Sequence, residues 1–156
     1  MSQAMPPELE HGYAAPTVRQ FSVFLDNKVG KLLELVRLFD ETPTVHLASL
    51  SVVESSDFAV IRIIPNCADT AREVLRRHAL PFSEIDLLIV ELGECQSLTS
   101  MCLHLLAAEL NIRFAYPLMS GPGGNPTIAL AVDDQVLAGQ ILLRKRFRLL
   151  GEADLT

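Results

Sequence analysis

"LDNKVGKLLELVRLF", Leu25 to Phe39, is the stretch whose reading decides the fold. A run of strand formers from Val18 stops at Leu25, and a short turn follows: Asp26, Asn27, Lys28, Val29, Gly30. Beyond it, Leu32, Leu35, Val36 and Phe39 recur at i, i+3, i+4 and i+7, the spacing of an amphipathic helix with those four side chains on its buried stripe. A strand thus feeds a helix through a glycine. Two readings of the turn are open. Asp, Asn and Gly are what any tight turn uses. The same geometry also leaves the first helical amides without intrahelical partners, at the end of the dipole that favours an anion.

Working outward, "VHLASLSVV" (Val45 to Val53) alternates apolar and small side chains as a half-buried strand does, and "FAVIRII" (Phe58 to Ile64) returns as its hairpin partner across "ESSD". A helix from Ala68 to Ala79 turns Ala71, Val74 and Leu75 inward and Arg72, Arg76 and Arg77 outward. After Pro81 comes "FSEIDLLIVEL", a long strand. The order is β-α-β-β-α-β, and it then repeats at an offset of about 68 residues. "LTSMCLHLLAAEL" is the next helix, with Leu98, Met101, Cys102 and Leu105 on one stripe. "NIRFAYPLMS" and "TIALAV" are strands around the loop "GPGGNP", "DDQVLAGQILLRKR" is a helix capped by Asp133 or Asp134, and "FRLL" closes the set. "FSEIDLLIVEL" serves as the last strand of the first unit and the first of the second. The expected fold class is α+β: two tandem ferredoxin-like units with antiparallel sheets and helices on one face.

Composition narrows the function. At 156 residues with 49% hydrophobic and 21% charged side chains, the chain needs neither metal nor disulfide to fold, and its apolar excess points to extra buried surface such as a subunit interface. A net charge of -6 argues against a nucleic-acid partner. The basic run "RKRFR", Arg144 to Arg148, reads as the solvated end of a helix. Cys67, Cys95 and Cys102 are odd in number and lack metal spacing, which suits a reducing cytoplasm; Cys102 reads as core. Residues 1–17 read as a flexible arm rather than a secretory leader, and no apolar run reaches membrane-spanning length. No nucleophile–base set or phosphate loop is recognisable, and "GPGGNP" links two strands instead of heading a helix. No cofactor is expected.

The turn, the Leu-rich helix and the hairpin "VHLASLSVVESSDFAVIRI" resemble the ACT domain family, and the duplication makes the chain similar to a stand-alone tandem ACT protein, with units at 18–85 and 86–156. The resemblance implies a non-catalytic regulatory module that binds a free amino acid. It further implies a homodimer, and a role beside an enzyme of amino-acid metabolism; an interaction subunit of such an enzyme is the alternative. By the same resemblance, Asn27 is the ligand-contacting amide of a site formed by Asp26, Asn27, Lys28, Val29, Gly30, Lys31 and Leu32. Asn111, at the start of a strand in the second unit, completes that site from the neighbouring unit. A weaker second site would combine His46 with Gln96, Ser97 and Leu98, where Gln96 and Ser97 depart from the family pattern and Ser97 reads as a helix cap.

Overall fold

The computed structural model describes residues 15–119 and 121–156. Strand β1 (Val18–Asp26) leads through the turn into helix α1 (Lys31–Asp40). The hairpin β2 (Leu47–Glu54) and β3 (Phe58–Pro65) follows, then α2 (Ala68–Arg77) and β4 (Phe82–Glu91). The second set is α3 (Leu98–Ala107), β5 (Ile112–Pro117), β6 (Thr127–Val132), α4 (Gln135–Arg144) and β7 (Arg148–Leu150). A short 3-10 turn at Glu152–Leu155 follows β7.

Every strand pair is antiparallel, in the order β2-β3-β1-β4-β6-β5, with β7 also on β4. β4 is the strand that both units use. Its first half, Phe82 to Leu87, pairs with β1, whereas Leu88 to Glu91 pair with β6, and Ile89 to Glu91 pair with β7. Around β1 and around the second half of β4, the strand orders β2-β3-β1-β4 and β5-β6-β4-β7 are the same pattern twice.

Each unit lays two helices on one face of its sheet. Phe21, Val23 and Leu25 meet Leu35, Phe39, Ala71 and Leu75 in the first core, and Leu88, Val90 and Leu130 meet Met101, Leu105 and Leu142 in the second. A third cluster, including Val18, Ile64, Leu87, Ile89 and Ala129, lies between the helix-free faces of the two sheets. The sheet therefore curls until its two halves stack. Polar contacts finish that interface: the Tyr116 hydroxyl donates to buried Gln20, the Ser49 hydroxyl to the Pro117 carbonyl, and the Arg62 guanidinium lies 4.4 Å from the Phe114 ring centre. Burial holds the Tyr116 hydroxyl above its ordinary pKa, so it stays a donor.

Several expected positions differ. Leu35 and Phe39 are buried, but Leu32 is exposed and Val36 half-buried. On α3, Met101 and Leu105 are buried while Leu98 is 51% exposed and Cys102 is also exposed; this helix is apolar on most sides and only one stripe can face the core. "RKRFR" is not a helix end alone. Arg146 turns the chain in the left-handed region (φ 67°), Phe147 is buried, and Arg148 begins β7 with ion pairs to Glu91 and Asp154. The expected arm falls outside the described residues up to 14. Ala15, within its expected span, is buried against Gly139 of α4, where an added methyl would stand 2.6 Å from the Ala15 Cβ. Among the described residues, no helix is long and apolar enough to cross a membrane.

Candidate functional site

The four helices differ at their N-termini. Asp134 accepts from the Leu137 amide at the start of α4 (3.1 Å). Ser97 and Ser100 cap α3 reciprocally, each hydroxyl accepting the other's amide at 3.1 Å. The Ala68 amide of α2 donates to Glu152 Oε1 at 2.9 Å, a carboxylate delivered from the far end of the chain. α1 alone of the four has no side chain accepting from its first turn among the described residues. It starts at Gly30 in the left-handed region (φ 89°), a conformation that costs glycine little. Its Lys31 amide reaches the Lys28 carbonyl at 3.3 Å, while the Leu32 and Leu33 amides have no acceptor among the described residues, so this dipole end is the point that would hold a carboxylate.

Beside this turn, between the end of β1, the flank of α1 and the connection from α2 to β4, lies a cleft of about 390 Å³. Asp26, Lys31 and Glu34 line it with Leu35, Leu38 and Leu80 among its apolar walls. The Lys31 ammonium pairs with Glu34 at 3.3 Å. Cationic and anionic groups thus sit close together next to an apolar wall, the arrangement a zwitterion with a side chain requires.

Asn27 is adjacent but already engaged. Its amide nitrogen donates to Glu54 Oε1 (3.1 Å) and to the Ser55 carbonyl (3.2 Å), tying the turn to the β2–β3 hairpin. Both partners are acceptors, so the Asn27 carbonyl oxygen is the end left to meet a ligand. This refines what the residue can do: it is suited to an ammonium donor, and a carboxylate would have to displace Glu54. Glu54, Ser55 and the cleft residues Glu34 and Leu38 were not among the expected site residues. Only the hairpin register, which sets Asp26 opposite Phe58 and Glu54 opposite Ala59, brings the first two there.

The remaining expected residues fall elsewhere. Lys28 and Val29 are exposed on the turn, and Leu32 is exposed on α1. Asn111 is exposed at the entry to β5, its amide donating to Asp133 Oδ1 (3.2 Å). Asn111 is not among the residues that line the cleft beside the Asp26–Gly30 turn. His46 lines a groove with Leu47, Gly121 and Thr156, and Leu98 lines a second groove that also includes Gly121. Gln96 spends both ends of its amide internally, accepting from the Gly93 amide (2.7 Å) and donating to the Arg146 carbonyl (3.0 Å). The second turn is closed by its own side chains.

Two units of one pattern, sharing a strand and each presenting a strand–turn–helix junction, match a known family model. That model describes an ACT domain pair and matches residues 16–156. The chain belongs to this family. Among solved structures it resembles a protein from Bacteroides thetaiotaomicron at 22% identity and a TM-score of 0.78, covering 90% of this chain and 96% of that one. It also resembles the ligand-free regulatory subunit of aspartate kinase from Thermus thermophilus, at 9% identity and a TM-score of 0.53, covering 83% and 93%. At these identities the likeness is one of fold. No curated protein matches the sequence.

Proposed function

We propose that this ACT domain pair is a non-catalytic, cytoplasmic regulatory module that binds a free amino acid at the junction of β1 and α1. One observation carries the reading: among the described residues, α1 is the single helix of the four whose first turn meets no side-chain acceptor, and it stands next to the Asp26–Lys31–Glu34 cleft. The ligand carboxylate takes the Leu32 and Leu33 amides and the Lys31 ammonium. Its ammonium takes Asp26 and the Asn27 carbonyl oxygen, and its side chain lies toward Leu38 and Leu80. Gly30 keeps the approach to those amides clear, since nothing stands within 4 Å of where a Cβ would be. Asn111 enters this reading only from a second copy of the chain.

Titration calorimetry against the twenty common amino acids tests it, after a thermal-shift screen in which ligand at a hundred times its dissociation constant adds about 2.7 kcal/mol. Asn27→Ala removes an acceptor for a charged group and weakens binding by roughly one to two decades. No shift with any amino acid, or full affinity in Asn27→Ala, refutes the site. A second reading, an interaction subunit of an amino-acid metabolic enzyme, is favoured by the exposed Leu103 and Leu106 on the outer face of α3. Co-purification that survives Asn27→Ala but not Leu103→Asp would favour it.

A further inference from the structure

A helix that is apolar on every side is ordinarily covered on every side. α3 carries no Asp, Glu, Lys or Arg, yet it is covered on one side only. Met101 and Leu105 meet the second core, while Leu103 is 58% exposed and Leu106 68%. With Leu98, Thr99 and Cys102 they line a shallow groove of about 390 Å³ along the outer face. The turn that follows α4 stands at the Leu98 end of this helix. There the Gln96 amide donates to the Arg146 carbonyl at 3.0 Å, and the ring centres of His104 and Phe147 are 6.0 Å apart. Arg144, Lys145 and Arg146 are exposed on that turn. Among the described residues none of the three makes an ion pair, with the exposed Glu94 or with any other carboxylate.

We propose that residues 1–14 fold back over this groove, with Glu8 and Glu10 on the Arg144–Arg146 turn and Met5 and Met1 along α3. The starting point of the segment favours this path. Ala15 is buried against Gly139 of α4 and belongs to the same core as Met101 and Leu105, so the chain before it sets out beside α4. Reach and order fit as well. Arg144 lies about 7.5 Å beyond Gly139 at the rise of a helix, and extended backbone carries Glu10 and Glu8 at most about 17 and 24 Å from Ala15. Met5 and Met1 follow within about 24 Å of Glu8, enough to run the roughly 12 Å from Leu98 to Leu106. Pro6 and Pro7 favour the extended backbone such a path needs. Charge is complementary. Residues 1–14 carry Glu8 and Glu10 but neither Lys nor Arg, and they meet three adjacent cations in a chain of net charge -6. Any partner for Leu103 and Leu106 then has to displace this segment first, which makes it an autoinhibitory cover.

None of these residues lines the Asp26–Glu34 cleft, and the test contains no amino acid. Zero-length cross-linking of the full chain with a carbodiimide joins a carboxylate to an amine only where the two are in contact. Lys145 is the one lysine of the second unit, the others being Lys28 and Lys31, so a link to it is unambiguous. In an equimolar mixture of unlabelled and heavy-isotope chains, the expected product joins Glu8 or Glu10 to Lys145 within one isotope. The Lys31–Glu34 pair, at 3.3 Å, serves as the control link. Alkylation of Cys102 by iodoacetamide is a second readout, with Cys67 of the first unit as reference. Glu8→Lys with Glu10→Lys, and separately Arg144→Glu with Arg146→Glu, are each expected to speed Cys102 about fivefold while Cys67 holds. All four substitutions together are expected to restore the parent rate. No link to Lys145 while the Lys31–Glu34 link forms overturns the proposal. A link between unlike isotopes also overturns it, since the segment then lies on a second copy. Cys102 rates that neither pair of substitutions moves, or that all four fail to restore, overturn it as well and leave the groove to a different protein.

Discussion

Glu84→Gln should destabilise the protein at neutral pH and hardly at all in strong acid. Glu84 on β4 is gripped from two elements: Arg72 of α2 reaches both its oxygens at 2.8 Å, and Arg19 of β1 reaches Oε1 at 2.6 Å. Arg72, then Arg19, hold the carboxyl at about 2, against an ordinary 4.5 and against the opposing pull of desolvation. The folded pKa is depressed, so the stabilisation is fully present above about 4.5 and is lost as pH falls through about 2. Taken whole, such a shift corresponds to about 3.4 kcal/mol at about 1.4 kcal/mol per pH unit. Arg19 is 36% exposed and Asp86, its other partner, 46%, so solvent screens the group and about 1–2 kcal/mol is the expected difference. Urea unfolding of parent and variant at pH 7, 5, 4 and 3 measures it. The difference should be constant from pH 7 to 5 and shrink by more than half at pH 3. A gap that stays the same at pH 3, or one near zero at pH 7, would show that the arginines do not hold Glu84 as the distances imply.

Ser97→Ala should lower stability by about 1 kcal/mol through loss of the reciprocal cap on α3, and should leave amino-acid affinity untouched in the same calorimetric titration. Gly139→Ala should cost about 1–3 kcal/mol by crowding Ala15. Ala15→Gly in that background should recover most of it, a coupling that a thermal or urea double-mutant cycle reads directly.

The order of elements, the duplication and the double use of β4 were legible because each rests on local pattern: period two in the strands, period 3.6 in the helices, and glycine or proline between them. The stripe of α2 was legible for the same reason, at Ala71, Val74 and Leu75, and that of α1 in half, at Leu35 and Phe39 but not at Leu32 and Val36. α3 was not, since Leu98, Leu103 and Leu106 compete with Met101 and Leu105 and sequence alone does not say which face meets the sheet. The stacking of the two sheets was also hidden. β4 is apolar on consecutive residues from Leu87 to Val90, which says that both faces are buried but not what covers the second. Around the site, the glycine turn could be read directly. Glu152 at the start of α2 could not, because 84 residues separate it from Ala68 and only the folded chain joins them.

The two units are alike where the scaffold is made and unlike where a ligand would sit. His46 donates its amide to Asn66 Oδ1 at 2.8 Å, and Asn111 donates its own to Asp133 Oδ1, so the same backbone bond closes the same corner twice. At the two turns the chemistry diverges. Gln96, Ser97 and Ser100 satisfy the second junction from within, and Glu152 satisfies α2 from across the chain, while Gly30 leaves α1 open. An uncapped helix start forgoes roughly 1 kcal/mol of stability, and a fold that caps three starts has the means to cap a fourth. Without a side-chain cap the exposed Leu32 and Leu33 amides forgo that stabilisation, which is the physical reason to look for a ligand there and not at the second turn.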